Sequence, residues 1–145
     1  MNVKTILGRK GGSVKTIKTD ASVGAAAKML GEAKIGAVVV SDDGETIAGI
    51  LSERDIVRVM GSGGASALDL PVSKAMTTNV VTCKPDDRIV ELMSLMTQRR
   101  IRHLPVVDGG KMAGVISIGD VVKERMDEIE RDAAAMHDYI TGMGG

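Results

Sequence analysis

The sequence has almost no aromatic residues: Phe and Trp are absent, and Tyr139 is the single tyrosine. Proteins that bind single-stranded nucleic acid stack the bases on aromatic rings, so the composition argues against that class. A net charge is missing too, since 19 basic residues balance 19 acidic ones. No overall field therefore attracts the chain to nucleic acid or to a membrane surface. The core has to be built from aliphatic residues and ten methionines.

Cysteine is scarce, and long apolar runs are absent. Cys83 is the single cysteine, so no disulfide can form within the chain, which fits a reducing compartment. No apolar run approaches the ~20 residues that a membrane-spanning helix needs. Residues 1–7 lack the apolar stretch of a secretory signal. These absences predict a cytoplasmic protein with neither a membrane nor a nucleic acid as its partner.

The sequence has no pattern typical of a catalytic or metal site. His103, His137 and Cys83 do not form a zinc-binding pattern, and no histidine stands near Cys83 to activate its thiol. The stretch Gly-Arg-Lys-Gly-Gly-Ser at 8–13 is glycine-rich but lacks the Gly-Lys-Ser/Thr ending of a phosphate loop. We interpret it as a flexible entry from which Arg9 or Lys10 can reach a ligand. We predict no enzyme and no metal.

What the sequence does have is an internal duplication. The stretch Gly-Ile-Leu-Ser-Glu-Arg-Asp at 49–55 is matched by Gly-Val-Ile-Ser-Ile-Gly-Asp at 114–120. Upstream of these, residues 35–40 match residues 101–106. An internal duplication indicates the architecture directly, because both halves are expected to fold in the same way. The repeated polar pair, Ser and Asp in Gly-x-x-Ser-x-x-Asp, is where we expect the function.

Each half of the duplication is predicted to fold as β-α-β-β-α. The first strands are predicted at 14–17 and 80–83, and the hairpins turn at the Asp-Asp-Gly and Asp-Gly-Gly stretches. The helices have apolar residues at i, i+3, i+4 and i+7, namely Val23, Ala26, Ala27 and Leu30, then Ile89, Leu92, Met93 and Met96. The fold class is α/β (α+β), with pseudo-two-fold symmetry and one further C-terminal helix.

Five segments follow from this pattern. An N-terminal segment covers 1–13, the first repeat 14–60, a linker 61–78, the second repeat 79–126 and a C-terminal helix with its tail 127–145. The Gly/Ser-rich part of the linker, 61–67, is predicted to be flexible. The C-terminal helix has an apolar stripe at Ile129, Ala133, Met136 and Ile140, and the last four residues are predicted to be disordered.

The repeated β-α-β-β-α order, the Gly-x-x-Ser-x-x-Asp endings and the phrase Arg-His-Leu-Pro-Val-Val-Asp at 102–108 closely resemble the cystathionine-β-synthase-type (CBS) domain. The resemblance covers about residues 3–126 and is closest to small stand-alone bacterial proteins with a pair of such domains. It implies a regulatory or sensor module that binds an adenine nucleotide such as AMP, ADP, ATP or NAD(H) in the cleft between the repeats. It also implies a homodimer and an unidentified protein target.

The resemblance also implies which residues bind the nucleotide. The Asp at the start of the second helix accepts hydrogen bonds from the ribose hydroxyls, and the Ser three residues earlier contacts ribose or phosphate. Carried over, the first site joins Ser52, Arg54 and Asp55 to Asn79, Val80, Ile101, Arg102 and His103. The second site joins Ser117 and Asp120 to Val14, Lys15, Ile35, Gly36 and Ala37.

Two alternatives to nucleotide binding remain open. Ser-x-x-Asp at a helix start is close to a capping box, which stabilises the helix without any ligand. In that case the chain is a ligand-free protein–protein interaction module. A nucleotide hydrolase is the other alternative, although no general base with a metal site stands out.

If the sites do bind nucleotides, Arg54, Arg102 and His103 predict stronger phosphate binding at the first site. The matching positions around the second site are Gly119, Gly36 and Ala37.

Overall fold

The computed structural model describes residues 2–11 and 14–144. Its helices and strands follow one another as α1 Val3–Lys10, β1 Thr16–Ile17, α2 Val23–Ala33, β2 Ala37–Val40, β3 Gly49–Ser52, α3 Glu53–Gly63, α4 Ile89–Arg99, β4 His103–Asp108, β5 Lys111–Ser117 and α5 Ile118–Gly144. Two 3₁₀ turns, Gly64–Asp69 and Val72–Lys74, connect α3 to the second repeat. The predicted fold class is confirmed: the structure has two repeats of mixed helix and strand and a C-terminal helical extension.

The sheet of each repeat is small. In the first repeat β1 runs parallel to β2, and β2 runs antiparallel to β3, with Val38 opposite Leu51. In the second repeat β4 and β5 form a hairpin with a register shift at Val106/Val107. The strand predicted at 80–83 is reduced to one parallel bridge between Cys83 and Val106. A short strand at a sheet edge forms few ladder hydrogen bonds, so only its buried end pairs.

The first helix of each repeat forms where the apolar spacing predicts it. Ser22 caps α2 by accepting a hydrogen bond from the backbone N–H of Ala25 at 3.0 Å. Both helices end in a residue with left-handed backbone conformation, Lys34 after α2 and Arg100 after α4. Non-glycine residues rarely adopt this conformation, and its cost of about 1 kcal/mol or more is tolerated mainly where it positions a side chain.

Two core clusters correspond to the two repeats. The cluster of the first repeat is formed by Ile17, Val23, Ala26, Leu30, Val38, Val40, Leu51, Ile56, Val72 and Ala75. The cluster of the second repeat is formed by Val3, Ile6, Cys83, Ile89, Leu92, Met96, Leu104, Val106, Ile116 and Val121. Each core therefore includes residues from outside its own repeat: α1 packs on the second repeat, and the linker turn packs on the first.

The N-terminal segment is not the flexible entry that its glycines suggest. Residues 3–10 form helix α1, whose Val3 and Ile6 are buried in the second core. The backbone N–H groups of Val3 and Lys4 donate to the carbonyl oxygens of Asp87 and Pro85, both at 3.0 Å. The prediction of a flexible segment at 8–13 was wrong for residues 8–10, because buried apolar residues one turn apart outweigh the low helix propensity of Gly8. Gly12 and Ser13 lie outside the described residues.

The linker is also ordered. In place of a flexible 61–67 segment, α3 continues to Gly63 and a 3₁₀ turn follows, with Ala67 buried at 2% exposure. The backbone N–H of Val72 donates to the carbonyl of Ala21 at 2.7 Å, which fixes the linker to the first repeat. The prediction was wrong because the apolar residues that follow the glycines pack into a core, and this packing offsets the conformational entropy of glycine.

Helix α5 joins two elements that the sequence pattern separates. The second helix of the second repeat and the C-terminal helix form one continuous helix, Ile118–Gly144. The predicted disorder from Gly142 onward is wrong as far as Gly144, and Gly145 lies outside the described residues. No glycine or proline interrupts residues 120–141, so nothing in the sequence ends the helix there.

Candidate functional site

Two clefts lie between the repeats, and each is lined by one of the duplicated Ser-x-x-Asp motifs. The cleft at Asp55, named cleft one, has a volume of about 340 Å³. The cleft at Asp120, named cleft two, has a volume of about 590 Å³. Both volumes fall within the range of small-molecule sites, about 300–1,000 Å³.

Cleft two is lined by all seven residues predicted for it. These are Val14, Lys15, Ile35, Gly36, Ala37, Ser117 and Asp120. They come from both repeats, because β2 of the first repeat faces the start of α5. Cleft one is lined by six of its eight predicted residues, Ser52, Arg54, Asp55, Ile101, Arg102 and His103. Asn79 and Val80 do not line it. The chain reaches cleft one earlier, at Thr77, where a backbone bridge pairs Thr77 with Ile50.

Several lining residues were missed by the sequence interpretation. In cleft two they are Gly11, Lys34, His103 and Val115, while Lys10 was predicted only as a residue that can reach a ligand. In cleft one they are Gly36, Ile50, Glu53, Arg58, Thr77 and Arg100. A signal existed for two of them, since Lys34 and Arg100 precede the matching segments 35–40 and 101–106. Both take the left-handed conformation, so the backbone directs a basic residue into the same place in each repeat.

The duplicated glycines of the motif have a steric role. A Cβ added at Gly49 would lie 2.7 Å from Sδ of Met76, and one added at Gly114 would lie 2.6 Å from Cδ2 of Leu7. At Gly49 the added Cβ would also lie 2.8 Å from the backbone carbonyl oxygen of Thr77, so glycine is needed where the linker crosses β3, whereas at Gly114 the end of the Leu7 side chain would have to shift. The motif thus fixes the position of the segment that leads into each cleft.

The carboxylate of Asp55 is buried and satisfied from within the protein. Its Oδ2 accepts hydrogen bonds from the backbone N–H of Ser52 at 2.9 Å and from the Ser52 hydroxyl at 3.1 Å. Its Oδ1 accepts one from the hydroxyl of Thr77 at 3.2 Å and lies 3.2 Å from the guanidinium of Arg58. Together with the Asp55 N–H donating to Ser52, this is a complete capping box.

The carboxylate of Asp120 has different surroundings. Its Oδ2 accepts from the backbone N–H of Ser117 at 2.9 Å and from Nζ of Lys10 at 2.7 Å. Both of these bonds end on Oδ2, and a carboxylate can accept more than two hydrogen bonds. Burial raises the pKa of Asp120, but the bonds from Lys10 and Ser117 outweigh it and hold the pKa below its usual value. Asp120 is an anion ready to accept a further donor.

Both clefts contain basic residues. Cleft one has the arginines at 54, 58, 100 and 102, opposed by Glu53 and Asp55. Cleft two has Lys10, Lys15 and Lys34, opposed by Asp120. The positions that match Arg54, Arg102 and His103 are uncharged as the sequence shows, and the charge of cleft two comes from the predicted Lys15 and from Lys10 and Lys34, at the ends of α1 and α2.

Of the two cations in the glycine-rich stretch, only Lys10 lines cleft two. Arg9 pairs with α5 instead, 2.7 Å from Asp127 and 3.1 Å from Glu124. A hydrogen bond to Asp127 and the charge of Glu124 raise the pKa of Arg9. Glu124 is buried at 2% exposure and also bonds to Arg131 at 3.2 Å, so two guanidinium groups compensate its charge.

His103 separates the two clefts and lines both. It packs against Gly36, where an added Cβ would lie 2.9 Å from both Cε1 and Nε2 of the ring. Burial lowers the pKa of His103, while the nearby Glu53 acts in the opposite direction and Lys10 in the same one. The imidazole is therefore biased towards its neutral form in the wall between the clefts.

The predicted helix caps and the predicted site residues thus coincide. Ser117 accepts from the backbone N–H of Asp120 at 3.1 Å, so the second motif is a capping box as well.

Cys83 is buried, and burial raises the pKa of its thiol to about 12. The described residues contain no group of three metal-ligating side chains. Within the same part of the chain, no helix is both long and apolar enough to cross a membrane.

Comparisons with known proteins agree with this architecture. The family model of the CBS domain matches residues 7–62 and 72–127. A curated relative, the mitochondrial CBS domain-containing protein CBSX3 of Arabidopsis thaliana, is 37% identical over 86% of this chain. The chain spans 62% of the length of that relative.

Solved structures are similar as well. The CBS-domain protein ATU1752 of Agrobacterium tumefaciens is 50% identical, with a TM-score of 0.83 over 86% of this chain and 99% of that one. The CBS domain pair of protein MJ0100, solved in complex with 5′-methylthioadenosine and S-adenosyl-L-methionine, has a TM-score of 0.77 at 23% identity, over 88% and 98% of the two chains. The two family matches, the duplicated motifs and these neighbours show that this chain belongs to the CBS-domain family, as a tandem pair.

Proposed function

We propose that this CBS pair is a regulatory module that binds an adenine nucleotide, AMP, ADP, ATP or NAD(H), with cleft two as its principal site. The observation that carries the proposal is the partly exposed Asp120 carboxylate, which is bonded through Oδ2 to Lys10 and Ser117 at the edge of a cleft with three lysines. A carboxylate accepts well from the paired hydroxyls of a ribose.

The rest of cleft two suits the other parts of a nucleotide. Val14, Ile35 and Val115 provide aliphatic walls for the flat faces of an adenine ring. Lys10, Lys15 and Lys34 provide charge for phosphates, and the N-terminus of α5 favours an anion. The complex of the MJ0100 CBS pair adds support from a protein of the same fold, since both of its ligands contain adenosine.

Cleft one is proposed as the weaker site. Asp55 is already bonded to Ser52, Thr77 and Arg58, so a ribose has to compete with these groups. Arg54, Arg100 and Arg102 remain to attract phosphate.

We propose that occupancy of the clefts changes the angle between the repeats, and that a homodimer presents this change to a protein target. CBS domains are in general regulatory rather than catalytic, and we propose no reaction for the clefts.

The saturated Asp55 favours a second candidate, a ligand-free interaction module. In that case both motifs only cap α3 and α5, and the clefts are contact surfaces for another protein. The two candidates differ in one measurable property, because only the first requires direct binding of a nucleotide.

Isothermal titration calorimetry with AMP, ATP and NAD tests the proposal, with GMP as the comparison ligand. We expect Asp120→Asn to weaken adenine nucleotide binding about tenfold or more, since a hydrogen bond to a charged group contributes about 1.5–3 kcal/mol. Asn retains the capping acceptor, so the fold is preserved. The control Asp138→Asn changes an exposed residue on α5 and leaves binding unchanged. Absence of binding by any adenine nucleotide at millimolar concentration supports the interaction module instead.

A further inference from the structure

Helix α5 has two opposite faces. One face packs on the second repeat, where Val121 is fully buried and Glu124 is 2% exposed. The other face projects away from the protein and carries large apolar side chains, with Met126 58%, Ile129 50% and Met136 60% exposed. We name this face the outer stripe, and its members are Val122, Met126, Ile129, Ala133, Met136 and Ile140.

The outer stripe has the spacing of a coiled-coil seam. Its residues follow one another at intervals of four and three, as the a and d positions of a heptad do. Every Val, Ile, Leu and Met between 122 and 140 lies at these positions, which gives the narrow seam of a helix pair and not the wider apolar face of a helix on a globular core. From Val122 to Ile140 the stripe is about 27 Å long at 1.5 Å per residue.

Within residues 2–11 and 14–144, the packing leaves 38–61% of each large side chain of the stripe exposed. The bonds that hold α5 to the body, from Arg9 to Glu124 and Asp127, are on the opposite side of the helix. Apolar patches of this kind, rimmed by charged residues, mark interaction sites on soluble proteins. We infer that the outer stripe pairs, in parallel, with the outer stripe of a second copy of this chain.

The charges beside the stripe favour a parallel pair of identical helices. In a parallel pair, a residue that flanks the stripe on one side contacts a residue of the second copy. That residue is five positions later in the sequence and flanks the stripe on its other side. Arg125, which also pairs with Glu128 of its own helix, then meets Glu130 of the second copy. The two-fold symmetry forms this pair twice, so opposite charges meet on both edges of the seam.

The same charges oppose an antiparallel pair. Full overlap of two antiparallel stripes places Met126 opposite Met136 and Ile129 opposite Ala133 of the second copy. The two-fold axis then places Glu130 next to Glu130 of the second copy, and Asp132 next to Asp132 of the second copy. Like charges at these positions are unfavourable, so the sequence discriminates between the two orientations.

Cysteine cross-linking tests the orientation directly. In the parallel dimer residue 136 meets its own counterpart, whereas in the antiparallel one the two are about 15 Å apart along the axis at 1.5 Å per residue, too far for a disulfide. We expect Met136→Cys to form a disulfide-linked dimer at least tenfold faster than Ala134→Cys, which is exposed but off the stripe. The native Cys83 does not compete, because it is buried.

Charge reversal provides the second measurement, on the full chain without ligand. Glu130→Lys places a lysine next to Arg125 of the second copy and should slow cross-linking of Met136→Cys several-fold. Arg125→Glu in the same chain should restore the rate, because the pair is then reversed but still opposite. Equal cross-linking of Met136→Cys and Ala134→Cys, or no rescue by the double reversal, overturns the parallel pair. This inference does not depend on nucleotide binding, since it concerns only α5.

Discussion

Asp55 and Asp120 occupy matching positions in the two repeats, yet their side chains differ in exposure and in hydrogen-bond partners. Asp55 is 5% exposed and bonds to three other residues, whereas Asp120 is more exposed and pairs with the partly exposed Lys10. A carboxylate whose acceptor positions are all filled mainly stabilises the protein. One that is partly exposed can also bind a ligand. Duplication of a motif therefore does not guarantee duplication of its function.

This difference leads to a prediction on stability without ligand. Asp55→Ala removes the cap of α3 and the buried carboxylate to which Ser52, Thr77 and Arg58 are bonded, which costs about 2–4 kcal/mol. At roughly 2–4 °C per kcal/mol, the melting temperature should fall by roughly 5–15 °C. Asp120→Ala loses a cap and one exposed ion pair, so we expect about 1–2 kcal/mol and a fall of a few degrees. Thermal unfolding by circular dichroism measures both, and equal losses would contradict the assignment of Asp55 to stability.

His103 provides a prediction on pH. Its pKa in the folded protein is below the usual value of 6.5, so the unfolded chain binds the proton first as the pH falls. The contribution of His103 to stability is therefore complete above pH 6.5 and is lost as the pH decreases below 6.5 towards the folded pKa. His103→Gln should reduce this loss, and denaturant unfolding at pH 5 and pH 8 measures it.

A bound phosphate should change the same titration. Negative charge next to the imidazole favours its protonated form, so AMP should raise the pKa of His103. An NMR titration of the ring protons, assigned with His137→Gln, follows this change directly. If the pKa of His103 is the same with and without bound AMP, the phosphate does not lie near the wall between the clefts.

Much of the candidate site could be predicted because the motif and its partner segment are local in sequence. Ser117, Asp120 and residues 35–37 line cleft two as expected. Lys10 and Thr77 could not be placed in this way, because they reach the clefts by long-range packing of α1 and of the linker. The nearby Asn79 and Val80 were chosen instead of Thr77 because a position counted along an expected strand is uncertain where the strand is only one bridge.

At the scale of elements, α1 is the clearest departure from expectation. Its sequence alternates apolar and polar residues and includes Gly8, and neither feature favours a helix. The helix forms because Val3 and Ile6 fill a gap in the core of the second repeat. Such a gap belongs to residues far along the chain, so local patterns do not reveal it. Helix α2 was predictable because its own spacing and its Ser22 cap agree.

Helix α1 should accordingly contribute to the stability of the second repeat. Ile6→Ala removes a side chain that is 4% exposed, and we expect a loss of about 2–5 kcal/mol. The matched control is Gly8→Ala in the same helix, where an added Cβ meets nothing within 4 Å. This change should stabilise the protein by about 0.5–1 kcal/mol, since alanine favours a helix over glycine. Urea unfolding measures both values, and a neutral effect of Ile6→Ala would mean that α1 does not dock in solution.

At the scale of the whole molecule, the two repeats are interlocked. The segment before the first repeat packs on the second repeat, and the segment before the second packs on the first. Gly114 and Gly49 permit these two crossings. Neither core is complete without residues from outside its own repeat, so we expect the repeats to unfold as one cooperative unit. The position of each crossing segment also sets the shape of a cleft, which connects stability with the site.

The two clefts share a wall, and this arrangement predicts that they are coupled. Gly36→Ala places a Cβ 2.9 Å from the ring of His103, so the imidazole has to move, and it lines both clefts. We expect the affinity for AMP to change several-fold at both clefts, as followed by NMR shifts of residues near Ser52 and near Ser117. Gly31→Ala is the matched control, because its added Cβ meets nothing within 4 Å.

The origin of the effect in the histidine ring can be tested by a double variant. In a His103→Ala background the ring is absent, so the further change Gly36→Ala should have little effect on either cleft. If Gly36→Ala alters binding to the same extent with and without His103, the change acts through the backbone of β2 and not through the shared wall. If only one cleft responds in the single variant, the clefts are independent. A response at both that disappears without His103 identifies the contact between Gly36 and His103 as the physical link between the two repeats' sites.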